Sequence, residues 1–435
     1  MKRTNVKPLF MRLCLLALVL LTGFAGCKKS GGTGTQGAKE TTITFRTWNP
    51  GPGDDWDSAM ALWDAKNTGI KVELQQVAYS DHFSSLKVNL ASGEGPDMLG
   101  LQTGAPVEEF HEFCLDVSPR AIQAWGSNWE SKWFKPLMDM TKGKLDSYYG
   151  LPLGSSYAGY IWAEMKYFDK YNLRVPSNYN ELLAVTKAFR SNGELPLLIG
   201  AKDDWINLDM FINIASDING QKFFDAVEGK SSFTDPVIIQ ALTIWKSCFD
   251  SGIFQDGALG VNMYSDTTSI FQEEKLAPMI CNGAWFTNGI DIFGNGSVYE
   301  GFTMDWNNDG KPAPVAPNVE VVMSINKDTK NLEQTWQFYS WFVTEGIKTY
   351  IDYNVQYFPA LVDHVLDTSK FSQEMQKNLK TAQEIGATRA AFYREISYPR
   401  VKQTLADQLK AVALGENTPQ RAAEIIEAAS KAEKR

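Results

Sequence analysis

Histidine is nearly absent. The chain has three, His82, His111 and His364, far apart in sequence. That argues against any metal or catalytic centre built on clustered imidazoles, and no cofactor or metal is expected. Cysteine is scarce as well: five occur in 435 residues, and beyond residue 27 only Cys114, Cys248 and Cys281 remain. Three widely spaced cysteines make no disulfide framework; one disulfide stays open, with its partners undetermined. Basic residues are outnumbered, 42 Lys and Arg against 51 Asp and Glu, for a formal charge of −9 at pH 7. Nucleic-acid binding, which rests on neutralising phosphates, is therefore not expected. Nor does any apolar run beyond residue 27 have the length to cross a membrane.

What the chain does have is a large apolar fraction and many rings. Hydrophobic residues make up 44% and charged residues 21%, so two or three ordinary domains can bury a substantial core. Aromatics reach 12%, with 13 Trp, 16 Tyr and 24 Phe, more than a core of this size ordinarily needs. The N-terminus places Lys2, Arg3, Lys7 and Arg12 before an apolar run from Leu13 to Leu21, the layout of an export signal. It ends in Thr22-Gly23-Phe24-Ala25-Gly26-Cys27, which resembles the bacterial lipobox, with Phe24 where that motif usually has Leu. The resemblance implies a signal peptide over 1–26, acylation of Cys27, and export with a lipid anchor, facing the periplasm or the cell exterior. Cleavage there removes four positive charges and takes the formal charge from −9 to −13. Residues 27–40, rich in Gly, Thr and Lys, read as a tether that holds the folded part about 20 Å from the lipid.

The folded chain opens with strand and helix in alternation. Thr42 to Trp48 alternates with β-branched residues and predicts a strand, broken by Asn49-Pro50-Gly51-Pro52-Gly53. Trp56, Met60 and Trp63 recur at helical spacing; 70–74 is a second strand. A helix from Ser80 or Asp81 turns Phe83, Leu86 and Leu90 inward, and 98–101 is a short buried strand. That order predicts a parallel sheet. Asn178 with Glu181 predicts a capping box at the head of a helix through Leu182, Val185 and Phe189, and Thr418-Pro419 starts the last helix.

Five segments then resemble those of family 1 extracellular solute-binding proteins, the sugar-binding lipoproteins of bacterial ABC importers. Val88-Asn89-Leu90-Ala91-Ser92-Gly93-Glu94-Gly95-Pro96-Asp97 resembles the family's L-A-S-G-x-x-P-D signature. Tyr149-Gly150-Leu151-Pro152 with Phe168 and Pro176, Asn282-Gly283-Ala284-Trp285, Val321 to Asn326, and Leu414 to Pro419 follow in the family's order. The resemblance implies an α/β, two-lobed, type II-like periplasmic-binding-protein fold with the ligand held between the lobes. It implies three crossings, placed near 150–157, 303–308 and 353–358. The expected N-terminal lobe is then 41–152 with 308–353, and the C-terminal lobe 153–307 with 354–435. The implied partners are a sugar, an oligosaccharide or glycoside, and the permease of an ABC transporter; the protein is expected to be a monomer and not an enzyme.

Catalytic signatures come close and fail. Asp305-Trp306-Asn307-Asn308-Asp309-Gly310 begins like an EF-hand loop, but position twelve is Ala316, so a tight turn is the better reading. Gly154-Ser155-Ser156-Tyr157-Ala158 lacks the last Gly of a nucleophile elbow. Glu108, Glu109, His111 and Glu112 read as a solvated face. A lipid-anchored glycoside hydrolase using two carboxylates stays open as an alternative, as does a binder of a cationic solute such as a polyamine. The aromatic surplus suits a sugar, whose ring has one apolar C–H face and a rim of hydroxyls. Candidate ligand residues are Trp48, Asn49, Gln102, Tyr157, Asp204, Trp205, Asn282, Trp285, Asn318 and Glu320, most of them at strand or turn ends. Trp285 matches the family's stacking Trp; Trp48, Trp205 and Tyr157 divide evenly between stacking and packing. Trp56, Trp63, Trp245 and Trp336 read as core.

Overall fold

A computed structural model describes residues 40–48, 55–293, 296–354 and 357–433. The expected signal peptide, Cys27, nearly all of the tether, and Asn49 lie outside the described residues. Eleven strands are present among those described: β1 (Thr41–Trp48), β2 (Ile70–Val77), β3 (Met98–Leu101), β4 (Leu151–Pro152), β5 (Gly154–Glu164), β6 (Leu197–Leu198), β7 (Met279–Gly283), β8 (Tyr299–Phe302), β9 (Ala316–Val319), β10 (Val322–Ile325) and β11 (Phe358–Pro359).

They form two sheets, each with its own core. The first has the order β2-β1-β3-β10-β4, and its first three strands run parallel. Alternation in β1 sends Ile43 and Phe45 fully inside, against Trp56 and Trp63 from the helix that opens the βαβ unit. Trp63 Nε1 donates to the Ile70 carbonyl at 2.9 Å, tying that helix to the start of β2. The next helix, Tyr79–Ala91, buries Leu86 and Leu90, and all four residues of β3 are buried. Close packing of β1 on β3 depends on Gly100, because a Cβ there would stand 2.7 Å from Thr47 Oγ1. The predicted strands and helices of this half are therefore found.

The second sheet is built on β5, which pairs with β7, β8, β9 and β11; β6 pairs with β7. Long helices Asp204–Val227, Pro236–Asp250, Pro399–Leu414 and Pro419–Ala432 pack around a core that includes Trp162, Trp245 and Trp306. Asn178 caps its helix by accepting from the Glu181 amide at 3.0 Å. The Glu181 carboxylate reaches back to Ser177, amide and hydroxyl at 2.9 Å, one residue earlier than the predicted box. Thr418 caps the last helix as predicted, accepting from the Arg421 amide at 3.1 Å. Cys114, Cys248 and Cys281 are buried free thiols.

The chain first passes between the sheets from β4 to β5. The second crossing lies later than 303–308. β9 pairs with β5, Ser155 opposite Val319 through Ala158 opposite Ala316, and Met304, Trp306, Ala313 and Val315 belong to the second core. The crossing is therefore at Glu320 and Val321, between β9 and β10. The turn at 305–310, overlapping the stretch where the crossing was expected, is local to one lobe. Asp305 accepts from the amides of Asp309 and Gly310, and the Asn307 amide donates to Asp217 at 2.9 Å, within one lobe. The third crossing is gradual: β11 joins the second sheet, yet Tyr357, Ala360 and Leu361 bury in the first core.

Candidate functional site

The cleft between the sheets receives the carboxyl ends of the parallel strands, where open α/β sheets place ligands. Trp48 is the last residue of β1 and Gln102 directly follows β3. Tyr79 heads the helix after β2, meets Trp48 edge-on at 5.7 Å, and its hydroxyl donates to Gln102 Oε1 at 2.6 Å. With Tyr357 they make the wall of the first lobe. His82 backs Trp48 at 5.4 Å, its Nε2 2.8 Å from the Gly100 carbonyl; burial lowers its pKa to about 4.

The facing wall comes from three places in the second lobe. Trp205 lies in the first turn of Asp204–Val227, Tyr264 in a widened, π-type helical passage (Met263–Glu273), and Trp285 just past the end of β7. Trp205 stacks on Tyr264 at 5.5 Å and 21° and leans on Trp285 at 6.0 Å. Gly283 is required here. A Cβ at that position would lie 2.1 Å from the Trp285 ring, so the glycine makes room for the indole itself rather than for a ligand's approach.

Arg394 completes the floor. Its Nε donates to Asp209 Oδ1 at 2.7 Å and its Nη1 to Glu320 Oε1 at 3.2 Å, all three side chains under a tenth exposed. The guanidinium carbon stands 4.6 Å from the Trp285 ring centre and 5.7 Å from that of Trp205. Burial alone would lower the Arg394 pKa, but Asp209, Glu320 and Glu395 outweigh it and hold the guanidinium charged. Burial pushes both Asp209 and Glu320 up, against the pull of Arg394. Burial, more than the sharing of one cation, sets those upward shifts.

The cavity they enclose is lined by Trp48, Tyr79, Gln102, Trp205, Tyr264, Trp285, Glu320, Tyr357 and Arg394. Six of the nine are aromatic, and the volume open to solvent is about 30 Å³, room for a water or two. Past Arg394 the cleft continues into a wider groove of about 220 Å³ between Thr103, Gly104 and Lys144 on one side and Phe224, Glu228 and Tyr393 on the other. Contacts bridge the lobes there. Lys144 Nζ is 3.3 Å from Glu228 and 3.3 Å above the Tyr398 ring, and Thr103 Oγ1 donates to Asn318 Oδ1 at 3.1 Å.

Of the sequence candidates, Trp48, Gln102, Trp205, Trp285 and Glu320 therefore line one cavity. Asn318 is buried one layer behind, held by Thr103. Three do not belong to it. Tyr157 packs on Phe358 at 5.5 Å and fills the space left by Gly386, where a Cβ would meet its ring at 2.3 Å. Asp204 points to Lys410 at 2.6 Å, and Asn282 turns its Oδ1 to the Gly283 amide at 2.9 Å. Sequence reasoning missed Tyr79, Tyr264, Tyr357 and Arg394. Tyr79 was within reach, because it follows the end of β2 as Gln102 follows β3. Arg394 sits in an irregular passage between two helices and carries no motif.

Among the described residues, nothing in the cleft is arranged as a nucleophile and base. Ser156 is fully buried in β5 opposite Asn318, and His364 pairs with Asp352 at 2.9 Å, outside the cavity. Asp209 and Glu320 are both tied to the same guanidinium, whereas glycosidase carboxyls flank the scissile bond.

Residues 49–349 match the family profile described as bacterial extracellular solute-binding protein. An uncharacterized ABC transporter extracellular-binding protein of Pyrococcus horikoshii is 23% identical over 54% of this chain; the match spans 56% of that relative, little more than half its length. Among solved structures, one from work on xylan utilization by the thermophilic bacterium Caldanaerobius polysaccharolyticus superposes with a TM-score of 0.77 at 18% identity, over 89% of this chain and 99% of the other. A chitin oligosaccharide binding protein gives 0.73 at 17%, over 90% and 98%. At these identities the structural likeness speaks for the fold, a two-lobed α/β architecture.

Proposed function

Because the chain belongs to the bacterial extracellular solute-binding protein family, we propose that it captures a sugar between its two lobes and delivers it, unaltered, to the permease of an ABC importer. The observation that carries this reading is the cavity with six aromatic rings around Gln102, Glu320 and Arg394. Rings cover the C–H face of a sugar, and the amide and carboxylate answer its hydroxyls; Trp285, Trp205 and Trp48 are the stacking residues. An oligosaccharide or glycoside fits the continuation of the cleft into the wider groove, and the neighbours named for xylan utilization and chitin oligosaccharide are in keeping with it. The pairing of both buried carboxylates with Arg394 speaks against the hydrolase alternative.

Export with an acylated Cys27 belongs to the same reading, as does a monomeric state. No helix among the described residues is long and apolar enough to cross a membrane. Cys27→Ser should then release the protein from membranes or block its processing, since lipid chains supply about 0.8 kcal/mol per buried CH₂. Retention without an acyl mass on the N-terminus would refute the anchor.

Thermal-shift screening of the purified protein against a sugar library tests the main claim. A sugar at a thousand times its Kd should add about 4 kcal/mol of stability. After prolonged incubation the sugar should be recovered intact; appearance of a cleavage product would favour the hydrolase.

A further inference from the structure

Arg394 lines the aromatic cavity and has the chemistry of a carboxylate receptor. Its geometry assigns it elsewhere. Nε and Nη1 are taken by Asp209 and Glu320 at 2.7 and 3.2 Å, in a setting where all three side chains are almost wholly buried. Next to them Glu395 and Lys402 pair at 2.7 Å. Around Arg394, then, three carboxylates (Asp209, Glu320 and Glu395) face two cations (Arg394 and Lys402). One negative charge is in excess, and Asp209 Oδ2 has no hydrogen-bond partner among the described residues. The other polar groups that the described residues bring to the cavity are Gln102, tyrosine hydroxyls and indole N–H groups, none of them cationic.

We infer that this pocket takes uncharged sugars and rejects acidic ones such as uronates, with Asp209 and Glu320 as the residues that set the discrimination. The inference rests on the sugar reading above. A carboxylate on the incoming ring would enter a desolvated space beside Glu320. The cation within its reach is Arg394, two of whose donors already serve Asp209 and Glu320, so an incoming carboxylate must share that single charge with two buried acids and weakens both pairs. Should one of the acids hold a proton, the pocket is neutral and its described residues still offer an anion no cation that is not already paired. A neutral ring faces no such conflict: its hydroxyls donate to Glu320 and its C–H face lies on the indoles. Specificity of this kind is built by placing an unfavourable charge against the wrong ligand.

Calorimetric titration of the purified protein with matched pairs tests it: galactotriose and trigalacturonate, mannotriose and trimannuronate, xylotriose and its glucuronate-branched form. In each pair whose neutral member binds, the acidic member should be weaker by about tenfold or more. An acidic member that binds as tightly as its neutral partner overturns the inference while leaving sugar capture intact. If neither members of these pairs nor any other sugar binds, sugar capture itself fails and this inference falls with it. Asp209→Asn removes one buried charge behind the wall, without lining the aromatic cavity, and should narrow the gap about tenfold; Glu320→Gln should act in the same direction. A gap unchanged in both variants, each melting cooperatively, would assign the discrimination to pocket shape and refute the role of these two acids. Should either variant fail to fold, the comparison of neutral and acidic partners on the native protein still decides the selectivity.

Discussion

Gly283 and Trp285 occupy one another's space: the indole lies where a side chain at 283 would begin, 2.1 Å from an ideal Cβ. The strand end and the aromatic wall are thus a single device, and both members can be tested. Trp285 is 7% exposed, so packing holds it in place beside the ligand contact proposed for it. Trp285→Ala should weaken sugar binding by about 2 kcal/mol, close to thirtyfold in Kd, and lower the melting temperature as well. Gly283→Ala should reproduce the affinity loss with the tryptophan still present, because the ring is pushed off its seat. Calorimetry beside melting without ligand separates the effects; a Gly283→Ala protein that binds normally would show that the indole's position does not matter.

Arg394 should be more important to the fold than its single site suggests. Replacing it by Met keeps the volume and strands Asp209 and Glu320 in a buried setting, which costs about 3–5 kcal/mol when one partner of a buried pair is removed. Adding Glu320→Gln to Arg394→Met should restore part of that loss. Urea unfolding of the single and double variants measures both terms, and an Arg394→Met protein as stable as the parent would contradict the charge-pairing account.

His82 makes stability depend on pH. Its pKa is about 4 in the folded protein, lowered by burial, against about 6.5 when unfolded. Between those values the unfolded chain binds the extra proton, so stability rises with pH across the window and is lost as pH falls from 6.5 towards 4. The full effect is about 3 kcal/mol, of which about 2 kcal/mol should be gone by pH 5. Urea titrations at pH 7 and pH 5 should show it, and His82→Gln should flatten the difference. Because the folded ring stays neutral down to about pH 4, the folded protein's sugar affinity should hold across that window and weaken only near pH 4, where the ring behind Trp48 takes up its proton.

The first lobe was legible because its signals are local. Alternation in β1, helical spacing of Trp56 and Trp63, and the all-apolar β3 each declare an element without tertiary help. The site was half legible for a topological reason: residues at strand ends, such as Trp48, Gln102 and Trp285, can be placed once the strands are known. Arg394 could not be, since what makes it matter is its meeting with Asp209, 185 residues away, and Glu320, 74 away. Tyr157 erred the other way. It stands on β5 close to the crossing, yet the strand's pleat turns its ring to Gly386 and Phe358 rather than to the cleft. The second crossing was placed from the family resemblance and fell early, because pairing of β9 with β5 keeps the chain in the second lobe as far as Val319.

Motion is required by the dimensions of the cleft. The cavity has room for a water or two, so the lobes must part to admit the proposed sugar and close about it afterwards. The chain offers three places to bend, at Leu153 and Gly154, at Glu320 and Val321, and near Tyr357. Across the cleft, Lys144 reaches Glu228 and the Tyr398 ring, a contact that exists only when the lobes are together. Its groups are about a third exposed, so solvent screening limits it to about 1 kcal/mol or less, counting the ion pair and the cation–π contact together. Lys144→Met should therefore favour the open form modestly: sugar dissociation faster by up to about fivefold, with the melting temperature of the free protein within a degree or two of the parent. Small-angle scattering of the native protein should show two populations whose balance shifts to the smaller radius of gyration when sugar is added. Lys144→Met should need more sugar to reach the same radius. A radius that stays constant through saturation, in a protein that calorimetry shows to be binding, would refute closure of the cleft, and with it the part assigned to Lys144.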